Sequence, residues 1–141
     1  MNDSGWSHFA VNATRTESRF VEATVIGYGI YSVLIGLFIL IAPGTFFDTL
    51  GNIGLRNDHY LFDVASFELP AGLLLLGAYR WPSWRVPALA FSTVHWGIHA
   101  VSHLVDTHHA AGEWVGWLEF AGLAVSTVIL AFALQAARRQ V

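Results

Sequence analysis

Three histidines at a spacing of four, His95, His99 and His103, followed by Asp106, are the residues whose types and order could do chemistry. Positions four apart on an α-helix share one face, with a drift of about 40° per step, so a helix here carries a stripe of imidazoles ending in a carboxylate. Three further acids, Asp63, Glu68 and Glu119, stand in apolar surroundings. Imidazoles at i and i+4, completed by carboxylates from facing helices, can hold Zn, Fe or Mn in a four- to six-coordinate sphere. The expected metal ligands are His99, His103 and Glu119 with Asp63 or Asp106. Glu68 and His95 lie deeper, as inner ligands or the groups behind them, and are the residues expected to carry catalysis. If the metal is iron, such a site supports oxygen chemistry on an apolar substrate. The chain has no Cys, which leaves His and carboxylates as the strong ligands and excludes disulfides, thiol catalysis and iron–sulfur clusters.

Other chemistry fits the same residues. A ladder of Glu68, His95, His99, His103 and Asp106 is the composition of a proton or ion relay without metal, although below His95 the helix offers only Thr93 and Ser92. The residues could also do no more than bind helices together, as in a scaffold or accessory subunit of a membrane complex. Interhelical polar contacts in membranes average only about 0.6 kcal/mol, too little to account for so many costly residues. Several sharper motifs are absent: His95-Trp-Gly-Ile-His99 has no Glu after its first His, and the Glu-x-x-His pairs of di-iron bundles do not occur. The buried His lie on one helix, which disfavours haem held between two of them.

The elements that must position these side chains are spanning helices. Of the 141 residues, 55% are hydrophobic and 12% charged, against roughly 25% charged in a soluble domain. A net charge of −3 with seven Arg and no Lys offers no basic surface for nucleic acid. A helix needs about 20 mostly apolar residues to cross the hydrocarbon core. Windows of that kind run about 20–42, 60–79, 86–105 and 114–137. At 1.5 Å per residue, Asp63 lies roughly 5 Å and Glu68 roughly 12 Å below the outer face, Glu119 roughly 8 Å below it, and His95 near the centre. Glu68 then shares a layer with His95 and His99, Glu119 with His99 and His103, and Asp63 with His103 and Asp106. Asp63 and Glu68 are five apart, about 140° around the helix, so one of them can face a different neighbour. Pro70 removes a backbone bond beside Glu68.

Six of the seven Arg fall at one end of these spans, at 15, 19, 80, 85, 138 and 139, with Arg56 alone at the other. The positive-inside rule places that end, and both termini, in the cytoplasm. Trp81 and Trp84 at the inner boundary and Trp114 and Trp117 at the outer one form aromatic belts. The fold expected is therefore all-α: an integral membrane four-helix bundle running up-down-up-down, with residues 1–19 a polar cytoplasmic tail, 20–137 the bundle and 138–141 a second tail. The N-terminus lacks a signal-peptide pattern and is expected to stay on the mature protein. Thr14 and Glu17 fit a capping box at the start of the first helix, Asn12-Ala13-Thr14 matches a glycosylation pattern that has no meaning in the cytoplasm, and Glu22 is expected to snorkel or pair with Arg19. The loop 43–59 should lie along the outer interface. Ser32 with Gly36, and Gly122 with Ser126, are small-xxx-small pairs that permit close helix approach. Tyr28 and Tyr31 line a cavity or pack; His8, His59, His108 and His109 fall outside the spans.

The segments IAPGTFF closing the first span, FELPAGLLLLGA in the second and RWPSWRVPALA leading into the third make the chain similar to the DoxX-like superfamily of small bacterial four-helix membrane proteins, over most of residues 20–137. The resemblance implies a multi-pass protein of the bacterial inner membrane. Some members are linked to quinone-coupled oxidation of sulfur compounds, which implies a redox or quinone-related role. No catalytic motif of the family matches residue by residue, and the His stripe goes beyond its pattern. The reading that follows is a metal-dependent membrane oxidoreductase or related enzyme for a lipophilic small molecule such as a quinone or prenyl compound. The partners expected are the lipid bilayer, the lipophilic small molecule, and a second copy or a membrane complex.

Overall fold

A computed structural model of the chain describes residues 4–110 and 112–140, with side chains from Thr16 onward except that of Glu113. The described residues form four long helices and a short one: α1 (Ser4–Ile41), α2 (Pro43–Thr49), α3 (Asp58–Arg80), α4 (Arg85–Val105) and α5 (Glu113–Arg138). Single 3-10 turns at Pro82–Trp84 and Thr107–His109 join the last three. No strand occurs among the described residues; one antiparallel bridge links Ile53 to Ala110.

Local chemistry sets these boundaries. Pro43 sits in the first turn of α2, where its missing N–H is no loss. Asn57 caps α3, its side-chain oxygen accepting from the backbone N–H of His59 at 3.1 Å and Tyr60 at 3.2 Å. Helix α3 then runs unbroken through Pro70. The first helix departs from the sequence reading: it begins at Ser4, so residues 4–19 are helical and continuous with the span rather than a separate tail. A capping box at Thr14 would sit inside that helix; the side chains of His8, Asn12 and Thr14 lie outside the described residues. Loop 43–59 also carries a helical turn that its composition did not suggest.

Three helical segments, Thr16–Ile41, Asp58–Arg80 and Trp114–Arg138, are long and apolar enough to cross a membrane. With 21 residues α4 has the length as well, but three His, two Ser and a Thr dilute its apolar character. Its outward face is nonetheless apolar, with Val94, Ile98, Val101 and Val105 all exposed. Leu34, Ile41, Val128 and Phe132 continue that surface on α1 and α5, and Trp81, Trp84, Trp114 and Trp117 are exposed near the helix ends. A surface of this kind is solvated by lipid tails better than by water.

The helices pack most extensively as two pairs, α1 with α3 and α4 with α5, while the seams α1–α5 and α3–α4 are lighter. Glycines explain the first pair. A Cβ built on Gly72 would stand 2.6 Å from the backbone N of Val33 and 2.7 Å from the carbonyl O of Gly29, and one on Gly36 would stand 2.9 Å from the backbone N of Leu69. Only hydrogen fits there, so the two backbones meet directly. Ser32 is fully buried between them. At the Arg-rich end the interior is solid: Val21, Val25, Leu75, Leu89, Leu130 and Ala133 form one fully buried cluster. Arg85 Nη2 donates to Glu22 Oε1 at 2.9 Å and Arg139 Nη1 to Glu17 Oε1 at 3.2 Å, tying α4 and α5 to α1. Glu22 thus pairs across the fold with Arg85 rather than along its own helix with Arg19.

Candidate functional site

Away from the Arg-rich end the helices separate around a cavity of about 750 Å³. It runs from the helix middles, at Gly27, Glu68, Trp96 and Ser126, to the end of the molecule formed by α2, the 50–57 segment and Asp106. Its wall is largely aromatic and aliphatic, and set among those residues are Glu68 from α3, His99 and His103 from α4, Asp106 at the end of α4, and Glu119 from α5.

Helix geometry decides which expected residues reach it. The α4 residues in the wall are Trp96, His99, Ser102, His103 and Asp106, spaced as one helical face. His95 is the stripe residue that has rotated out of it. Its ring instead stacks with Phe91 at 6.1 Å and Phe67 at 6.2 Å between ring centres, and its Nε2 lies 2.9 Å from Glu68 Oε1. Glu68 therefore stands between His95 behind it and the cavity in front. Its side chain is only 8% exposed, and the second oxygen, Oε2, has no hydrogen-bond partner.

Further out, the His99 and His103 rings lie 4.8 Å apart, and His103 Nδ1 lies 3.3 Å from Glu119 Oε2. That distance is in ion-pair range but lacks hydrogen-bond alignment, so Glu119 Oε2 also remains without a hydrogen-bond partner. Asp106 Oδ1 lies 3.4 Å from His109 Nδ1 at the exposed rim. Asp63 does not join the site. It is largely exposed, its Oδ2 is 3.8 Å from His59 Nε2 one turn earlier, and it is not among the wall residues. The rotation of about 140° between positions 63 and 68 sends one side chain inward and the other out. Among the described residues no three His, Asp or Glu side chains stand where one metal ion would be held. The acids are drawn into separate pairs instead: Glu68 with His95, Glu119 with His103, and Asp106 with His109.

Several wall residues carry signals that the charged pattern overshadowed. Trp96 is 5% exposed, its indole N–H is unpartnered, and Tyr28 packs edge-on against it at 5.1 Å with Tyr31 at 5.5 Å. Its place three residues before His99 and seven before His103 puts it on the same face as both. Gly122 and Ser126, read as a helix-approach pair, line the cavity, and a Cβ on Gly122 would meet nothing within 4 Å. Phe46 and Phe47 of α2, with Asn57 and Tyr60, complete the wall at the end away from the Arg-rich one. The remaining unpartnered buried atoms, in Ser32, Ser92 and Arg85, belong to residues outside it.

Chemically, the arrangement joins a carboxylate oriented by an imidazole to a largely apolar chamber. Glu68 Oε2, Trp96 Nε1 and Glu119 Oε2 have no hydrogen-bond partner among the described residues. No family model matches the chain, and neither does any curated protein or solved structure.

Proposed function

We propose that this is an integral membrane protein that binds a lipophilic small molecule in the cavity and exchanges protons with its polar head through Glu68, with His95 as the group that positions Glu68. The observation that carries this reading is the cavity wall itself. A chamber of about 750 Å³, apolar over most of its lining, has among its wall residues Glu68, Trp96 and Glu119, each with a buried polar atom that lacks a hydrogen-bond partner among the described residues. Small-molecule sites combine these features: an apolar pocket for the body and a few convergent polar groups for the head. A carboxylate held against an imidazole is suited to general acid–base work. Quinones and prenyl compounds fall in the size and polarity class concerned.

The membrane setting of this proposal is a bundle of four spanning helices with both termini in the cytoplasm. The apolar outward face of α4 supports the fourth span, its polar residues turning inward, and the six Arg at one end support the orientation. Kinship with the DoxX-like superfamily belongs to the same proposal and rests on the IAPGTFF, FELPAGLLLLGA and RWPSWRVPALA segments.

The test uses purified protein in nanodiscs and a decyl-substituted benzoquinone as probe, measured by calorimetry against empty nanodiscs. Wild type should bind saturably. Gly122→Leu, whose side chain enters open space in the cavity, should remove binding while the protein stays folded by circular dichroism. Equal binding by both proteins overturns the reading. A metal-dependent oxidoreductase is the second reading, supported by the 4.8 Å approach of His99 to His103 and the 3.3 Å approach of Glu119. A small rotation of these side chains would let the three share Fe, Zn or Mn. Metal analysis of wild type, His99→Ala and His103→Ala decides it: stoichiometric metal in wild type alone supports this reading, and none in any sample rejects it.

A further inference from the structure

The cavity reaches the outward surface through its side. The start of α1 is sealed against the end of α5, where Val21 and Val25 share one buried cluster with Leu130 and Ala133, and Arg139 Nη1 lies 3.2 Å from Glu17 Oε1. Further along the same seam the two helices part. Gly27 and Tyr31 of α1 and Leu118 and Gly122 of α5 line the cavity and are also exposed, Tyr31 by 49% and Leu118 by 63%. A Cβ on either glycine would meet nothing within 4 Å, so the facing helix does not close over them. Resting on the proposed binding of a lipophilic molecule, we infer that the occupant is a long-tailed lipid, its head in the chamber and its polyprenyl or acyl tail passing out between α1 and α5 into the bilayer.

The other three seams are closed at this depth. Helices α1 and α3 meet backbone to backbone at Gly29, Gly36 and Gly72, and α4 packs along α5. Helix α3 is joined to α4 by Glu68 Oε1, 2.9 Å from His95 Nε2, with Phe67 stacked on the His95 ring. Exposed wall residues do occur on α3 and α4, but Tyr60 and Ser102 lie in the first and last turns of their helices, at the level of headgroups rather than tails. Gly27 and Gly122 lie well inside theirs. The rim they form carries no charged group, and it continues into the outward faces of α1 and α5, where Ile30, Leu34 and Val125 are exposed. Cavity wall and lipid-facing surface are thus one apolar surface, which a hydrocarbon tail follows without meeting water. The buried cluster stops a tail from running toward the Arg-rich end, so the side opening is what delivers it to hydrocarbon. A chamber of about 750 Å³ has the size of a drug-sized ligand, and a chain of many isoprene units must leave it. A molecule held wholly inside would leave the gap to bilayer chains; a tail threaded through fills it.

Tail length and tail position test the inference, both in wild-type protein. Nanodiscs are prepared with plain lipid, with a nonaprenyl benzoquinone in the lipid, or with the same nonaprenyl chain lacking the quinone, and the decyl benzoquinone is titrated into each. The nonaprenyl quinone should weaken the apparent affinity for the decyl compound at least about tenfold, as a competitor well above its own dissociation constant does. The headless chain should leave it unchanged. A decyl benzoquinone with a diazirine at the end of its tail, photolysed in wild type and mapped by mass spectrometry, should label the rim at Tyr31 and Leu118, and excess decyl benzoquinone should suppress that label. If the decyl compound binds but the nonaprenyl quinone does not compete, or the headless chain competes equally, the long-tailed occupant is overturned and the lipophile site stands. Suppressible label at Tyr60 and Ser102, or at Leu50 and Leu55, overturns the exit between α1 and α5. If the decyl compound binds wild type no better than Gly122→Leu, both readings fall.

Discussion

Removing His95 is the most informative perturbation, because among the described residues Glu68 has no other side-chain partner. The Glu68 side chain is 8% exposed, Oε1 rests 2.9 Å from His95 Nε2, and Oε2 has no partner at all. At that separation and an effective dielectric of about 20, an ionised pair attracts by roughly 6 kcal/mol before desolvation is subtracted. Deleting one partner of a buried pair leaves the other charge uncompensated, at about 3–5 kcal/mol. His95→Ala should therefore destabilise the protein by that amount. Glu68→Gln removes the charge but keeps the shape and one hydrogen-bonding group, and should lose only about 1 kcal/mol. In the double variant no charge is stranded, so its loss should fall well short of the sum, with a coupling of at least about 2 kcal/mol. Equilibrium unfolding of purified protein by sodium dodecyl sulfate in mixed micelles, followed by circular dichroism, reads all four corners of this cycle. A coupling near the 0.6 kcal/mol typical of interhelical polar contacts would refute the argument. It would mean that His95 and Glu68 meet as neutral hydrogen-bond partners, and that Glu68 is not held charged against the cavity.

Two further outcomes follow from the packing and the orientation. Gly72→Ala should destabilise by about 1–3 kcal/mol, since its Cβ meets the backbones of Val33 and Gly29, whereas Gly122→Ala should be neutral or slightly stabilising in the same unfolding assay; equal effects at the two sites would contradict the direct α1–α3 contact. The chain is free of Cys, so a single introduced thiol reports sidedness: Leu55→Cys, at a residue 96% exposed, should react with a membrane-impermeant maleimide in intact spheroplasts, and Gln140→Cys only after lysis. The reverse pattern would invert the proposed orientation.

The helices and their ends were largely legible because hydropathy is local information. The windows 60–79, 86–105 and 114–137 lie within two residues of α3, α4 and α5, and only the first helix ran well past its apolar part. The depth argument was also sound for Glu68 with His95 and for Glu119 with His103, since rise per residue fixes which layers can meet. Azimuth was harder. A spacing of four drifts by about 40° per step, and over the eight residues from 95 to 103 that drift separates the stripe into two faces, one toward Glu68 and one toward the cavity. Trp96 went unread although its spacing of three and seven from His99 and His103 places it on their face, because beside a histidine stripe an indole looks like lipid-facing bulk. Asp63 looked like a ligand because burial was inferred from depth alone. The contributions of α2 and residues 50–57 depend on how a loop folds back over the helix ends, which no period in the sequence encodes.

Why there is a cavity at all can be traced to where the small residues lie. Gly29, Gly36 and Gly72 draw α1 and α3 into backbone contact, and Val21, Val25, Leu75 and Leu89 fill the interior at the Arg-rich end. At the other end the wall residues where large side chains would close the space are Gly27 and Gly122, and a Cβ on either would meet nothing within 4 Å. The same residue type therefore has opposite consequences in the two places: on the α1–α3 seam it brings helices together, and in the wall it leaves room between them. The polar residues follow that division. The three wall carboxylates, Glu68, Asp106 and Glu119, each border the cavity and stand within ion-pair range of an imidazole, and Glu68 is the most buried of them. Glu68 stands where the solid half gives way to the hollow one, one oxygen 2.9 Å from His95 Nε2 and the side chain in the cavity wall.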